Sequence, residues 1–293
     1  MINLELLPLA TIYCYSALYI SVLSLWLPLK LKLPAWSITG IIACIFALIN
    51  NQMDIYAVLP IVALACAVYF SGKNNIPSTG RIIAGITVIF IAIPLGAHLI
   101  PYFHNLKILS NVYISTDGIP FTMYLNFDKT IVGLCILGLT QHLISNKNTW
   151  LSMIKETIPP ASVLIFISIL LAILVGNVHF DPKLPECLWI WSITNLLFVC
   201  TAEEGFFRGF IQKNLAMIFA NHQWGKPIAL IITSLFYGLI HFSGGIIYVG
   251  LVVVAGIGYG WIYQKTNHIE ASILTHFALN LIHILFFTYP ALP

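Results

Sequence analysis

Charge is scarce in this 293-residue chain: Asp, Glu, Lys and Arg together make up 8% of it, against 59% hydrophobic residues. So few charges cannot cover the surface of a water-soluble domain, and a mean hydropathy of +0.94 marks a polytopic membrane protein. The 13 Lys plus Arg nearly balance the 10 Asp plus Glu, which excludes the basic face that nucleic acid requires. Also missing is any C-x-x-C pair. The six cysteines (Cys14, Cys44, Cys66, Cys135, Cys187, Cys200) are widely separated and mostly sit in apolar runs, so neither a disulfide framework nor a zinc ribbon is expected. No H-E-x-x-H, G-x-S-x-G, internal repeat or low-complexity run occurs. The N-terminal stretch lacks a basic n-region and a small-residue cleavage site, and is expected to be an uncleaved first span with no soluble domain before it.

Apolar segments are abundant instead. They fall at about 8–29, 36–50, 55–71, 82–100, 130–145, 160–179, 188–207, 228–242, 246–264 and 269–288. The expected fold class is therefore all-α, a polytopic transmembrane helical bundle of about ten spans. With that map, Lys30, Lys32, Lys73, Arg81, Lys147, Lys155, Arg208, Lys213, Lys226 and Lys265 fall on one side, and only Lys107, Lys129 and Lys183 on the other. The bias places the chain in the cell membrane with both termini on the non-cytoplasmic side. A polar stretch, 101–129, separates four N-terminal helices from six C-terminal ones, so the chain divides into 1–127 and a core at 128–293 within one membrane domain. Asp54, Asp117, Asp128, Asp181 and Glu270 read as water-facing loop residues, most Tyr and Trp as an interfacial belt, and Gly256 with Gly260 as a helix-packing pair.

Ionisable groups inside spans are costly and are functional candidates by default. They concentrate in the C-terminal third: Glu203, Glu204 and Arg208 in TAEEGFFRGF, His241 in YGLIH, and His276 with Asn280 in THFALN. Residues four apart share a helix face, so Glu204 is expected to face Arg208 as a supporting ion pair. Glu203 points elsewhere and has no evident cation. A carboxylate without a counter-ion in a low-dielectric site retains a proton more readily, the condition for general acid or base work near neutral pH. His276 and Asn280 share one face of the last helix and can donate together to a developing oxyanion. His241 adds an imidazole able to orient water or shuttle a proton. This is the outfit of a hydrolase acting on a carbonyl. His283, one turn on, reads as packing or interfacial. Counting residues puts Glu203 and His241 at different depths, so a long or tilted seventh helix is expected.

The pieces EEGFFR, YGLIH and HFALN resemble the EExxxR, FxxxH and HxxxN motifs of the CAAX-processing and bacteriocin-processing intramembrane protease family, over about residues 128–285. Tyr237 stands where that family usually has Phe. The resemblance implies an all-helical glutamate endopeptidase without a covalent intermediate: Glu203 as base, His241 assisting, His276 and Asn280 as the oxyanion hole, Glu204 and Arg208 in support, and no cofactor or metal. The implied partners are a peptide or lipidated protein substrate and the lipid bilayer; prenylated tails, peptide pheromones and bacteriocin leaders are all within the family's range. Two other readings use the same residues. Carboxylate and imidazole also suit zinc, giving a metal-dependent protease, and intramembrane acids and histidines also build proton-coupled transporters or non-catalytic binding and immunity proteins.

Overall fold

The computed structural model describes residues 8–27, 29 and 31–293. Residues 1–7, Pro28 of the expected leading span, and Lys30 from the charge count lie outside the described residues. In chain order the elements are α1 (Leu9–Ser24), α2 (Ala35–Ile49), α3 (Val58–Ser71), α4 (Ser78–Gly96), β1 (Leu106–Val112), β2 (Phe121–Leu125), α5 (Phe127–Thr140), α6 (Lys147–Leu174), α7 (Leu188–Thr194), α8 (Thr201–Glu204), α9 (Lys213–Ile218), α10 (Gly225–Leu239), α11 (Gly245–Thr266) and α12 (Ile269–Phe286). Each expected apolar segment contains a helix. Pro8, Pro34 and Pro77 stand immediately before α1, α2 and α4, where a fixed φ and a missing N–H are harmless.

This is a membrane protein. Four helical stretches, Ser78–Gly96, Lys147–Leu174, Phe242–Thr266 and Ile269–Phe286, are long and apolar enough to cross a bilayer. The 14 to 16 residues of α1, α2, α3 and α10 extend only about 21–24 Å, short of the ~30 Å hydrocarbon core. Large apolar side chains such as Leu59, Phe90 and Phe166 point outward, as lipid permits and water does not.

Several expectations need correction. Within the polar 101–129 stretch β1 and β2 pair into a two-stranded sheet, a feature beyond the expected all-α fold, with Ile108 and Leu109 buried. Helix α6 starts at Lys147 rather than near 160, so Lys147 and Lys155 ride on the helix itself. Asp128 and Glu270 are not water-facing loop residues. Each lies in the first turn of a helix and is buried, where a carboxylate suits the helix dipole.

The chain forms two compact units, the first from residues up to Leu109, Met123–Ser145 and Leu197–Phe206, the second from Ser110–Thr122, Asn146–Leu196 and Phe207–Pro293. In the first, α5 packs against α8 along a stripe of residues four apart. A Cβ on Gly133 would stand 2.5 Å from Ala202 Cα, and one on Gly205 3.1 Å from Leu137 Cγ. Missing side chains thus allow the two backbones to approach closely, as small residues do between membrane helices.

The second unit uses the same device. Gly256 and Gly260 lie on α11, and their carbonyls accept hydrogen bonds from Arg208 Nη2 and Gln212 Nε2, both at 2.9 Å. A Cβ on Gly260 would meet Gln212 Oε1 at 2.4 Å. The turn before α11, Phe242–Gly244, closes with Gly245 at φ +86°, a conformation that favours glycine.

Candidate active site

The first motif lies on one continuous helical run from Leu188 to Ile218, extending well past the expected end at 207. It is not uniform. Asn195–Cys200 and Gly205–Gln212 are π-helical, with α8 between them carrying Glu203 and Glu204. Such wide turns are rare and recur at functional sites. The α-helical angle that sets Glu204 against Arg208 therefore does not carry over directly, because the residues joining them wind more widely.

In the first unit, Glu203 is not the lone acid expected from sequence. Its Oε1 accepts a hydrogen bond from Lys129 Nζ at 2.5 Å, with the two side chains 8% and 20% exposed. Lys129, counted above as a cation in an outer loop, sits in the first turn of α5. It escaped the sequence reading because its partner lies 74 residues away and no spacing rule connects them. The only signal was its position at the start of an apolar run, in FDKTIVGL.

In the second unit, side chains from all three motif segments collect around Tyr237. The Arg208 guanidinium lies 4.5 Å from the Tyr237 ring centre, 5.4 Å from that of Tyr259 and 5.9 Å from that of Phe207. A fully buried cation is costly, and three aromatic faces plus the Gly256 carbonyl repay much of that cost. The Tyr237 ring also meets His241 at 4.9 Å and His276 at 6.3 Å, while His276 stacks on Tyr259 at 4.7 Å.

The local geometry defines the imidazole of His241. Its Nδ1 is 2.7 Å from the Tyr237 carbonyl, which can only accept, so Nδ1 carries a hydrogen and Nε2 is the ring's other polar atom. His241 is half-buried just past the end of α10. His276 is buried on α12. Four residues on, Asn280 uses one of its two amide hydrogens on Asn195 Oδ1 at 3.1 Å. Tyr259 and Asn195 were not among the residues singled out from sequence, and Tyr237 was noted only as standing where the resembled family usually has Phe; aromatic residues in apolar helices carry no distinctive pattern.

Residues 185–282 match the family described as Type II CAAX prenyl endopeptidase Rce1-like. Over this segment the chain is similar to the CAAX-processing protease family. No curated protein and no solved structure matches the chain. The CAAX-protease segment runs from just before α7 nearly to the end of α12, and thereby includes EEGFFR, YGLIH and HFALN. It begins later than the 128 expected from sequence, so α5 and α6 lie outside the match. The family points to a protease acting on a membrane-associated protein.

Proposed function

We propose that this chain is an intramembrane endopeptidase that hydrolyses a peptide bond of a membrane-associated protein or peptide through a water activated by Glu203. In this reading Glu203 takes the proton of the attacking water and later delivers it to the leaving amine. His241 orients that water through Nε2. His276 and Asn280 donate to the oxyanion of the tetrahedral intermediate. Glu204 and Arg208 support the helix that carries the base. Ten spans with both termini on the non-cytoplasmic side, and a catalytic core at 128–293, belong to the same proposal.

The observation that carries the reading is the gathering of Arg208, His241 and His276 on the ring of Tyr237 within the CAAX-protease segment. Polar side chains dispersed along lipid-facing helices would have no reason to share one aromatic centre. The test compares peptides released from membranes carrying the wild type or Glu203→Gln. Loss of a general base is expected to slow cleavage by roughly 10²–10⁴-fold while the variant inserts and melts normally. Full cleavage by Glu203→Gln ends the glutamate mechanism, and inhibition by a zinc chelator would favour the metal-dependent alternative.

A further inference from the structure

Helix α5 begins without a cap of its own, since the Asn126 side chain makes no capping bond. Its exposed N–H groups are met from elsewhere. Asn105 Oδ1 accepts from Phe127 N at 2.7 Å, and Asp128 Oδ1 accepts from Lys129 N at 2.8 Å. Asp128 is fully buried; its carboxylate also accepts from Asn105 Nδ2 at 2.9 Å and lies 2.8 Å from His98 Nδ1. The backbone of Lys129 is therefore clamped at the point where its side chain leaves for Glu203. One turn further along the same face, Gly133 holds α5 hard against Ala202, the residue preceding Glu203. Two independent constraints thus fix the distance over which the Lys129 ammonium acts.

We propose that Lys129 is a positioning residue for Glu203: its ammonium, held by the clamped start of α5, binds Oε1 of the carboxylate, keeps the group ionised and fixes its orientation. The assignment rests on the reading of Glu203 as the base. An ammonium in contact favours carboxylate over carboxylic acid, which a base needs before it can accept a proton. Among the described residues of this unit, Asp128 on α5, Glu204 next in sequence and His98 after α4 are further charged or titratable groups on this side. Helices α1, α2 and α3 bring only tyrosines and cysteines, and Arg81 stands about 25 Å from His98 along α4.

Lys129→Met, Lys129→Arg and Glu203→Gln in proteoliposomes test this in two ways. The first needs no substrate: the infrared carbonyl band of protonated Glu203, identified by its absence in Glu203→Gln, is followed against pH. In Lys129→Met its appearance is expected to move up by roughly 1–3 pH units, and in Lys129→Arg to remain near the wild type. The second uses an internally quenched farnesylated peptide, for which Lys129→Met should lower kcat about tenfold or more with KM unchanged, and Lys129→Arg should restore most of it. An unmoved infrared titration in Lys129→Met, or a rate loss that Lys129→Arg fails to restore, overturns the assignment. Cleavage surviving in Glu203→Gln overturns the underlying reading instead, so the two failures are told apart.

Discussion

Adding one methyl group at Gly133 should loosen the first unit measurably. The new Cβ would lie 2.5 Å from Ala202 Cα and 3.1 Å from Ala202 N, both backbone atoms that no rotamer change can move. Carbon atoms pack at about 3.5–4.0 Å, so α5 and α8 must separate by roughly 1 Å. Overpacking of this kind costs about 1–3 kcal/mol. At ~2–4 °C per kcal/mol, Gly133→Ala should melt roughly 2–12 °C below the wild type in detergent, followed by tryptophan fluorescence on heating. The same separation lengthens the 2.5 Å contact between Lys129 and Glu203 to about 3.5 Å, beyond hydrogen-bond range, so cleavage should fall as well. Gly250→Ala is the control, since nothing lies within 4 Å of a Cβ there and Ala is the better helix former by ~0.5–1 kcal/mol. Equal melting of the two variants would refute the close approach of α5 and α8.

Two further outcomes follow from other parts of the molecule. Arg208→Lys keeps the charge but loses the planar fork that lies over Tyr237 and reaches the Gly256 carbonyl; with ~1.5–3 kcal/mol for the charged hydrogen bond and about 2 for the desolvated cation–π contact, it should lose roughly 3–5 kcal/mol, and wild-type melting would contradict the aromatic cage. Outside the spans, a hydrogen bond with Ser115, aided by Lys183 at 3.0 Å, holds the Asp181 carboxyl below its ordinary 3.8. The stability it lends is complete above pH 3.8 and disappears as pH falls through the lower folded value, so Ser115→Ala should melt earlier at neutral pH and lose less on acidification, as paired melts at pH 7 and pH 3 would read.

The helices were legible because lipid demands long apolar runs, and those runs survive in sequence whatever the tertiary arrangement. EEGFFR, YGLIH and HFALN were legible for a related reason: polar residues are conspicuous on an apolar background. Relations between distant segments were not. Nothing near Lys129 announces Glu203, and nothing near Asn105 announces the start of α5; both pairings exist only once helices pack. Asp128 was misread as a loop acid because helix starts and loops share the same polar composition, and the difference lies in which N–H groups require an acceptor. The π-helical turns flanking Glu203 and Glu204 also escaped, since hydrophobic periodicity over a few residues does not distinguish a widened turn from a regular one. The strands β1 and β2 hid inside a stretch too polar to be a span and too short to show alternation clearly.

The grip of Arg208 and Gln212 on main-chain carbonyls of α11 has a consequence for how this protein can diverge. A seam that recognises peptide oxygens is indifferent to the identity of most side chains on the opposite helix. Along that seam the tight positions are 256, where a Cβ would stand 3.1 Å from the Tyr237 ring, and 260, where it would press on Gln212 and Leu230, so drift there requires the neighbouring side chains to shift. A lineage could thus retune the lipid-exposed flank of α11 for new bilayers or new clients while its grip on the motif helix stayed intact.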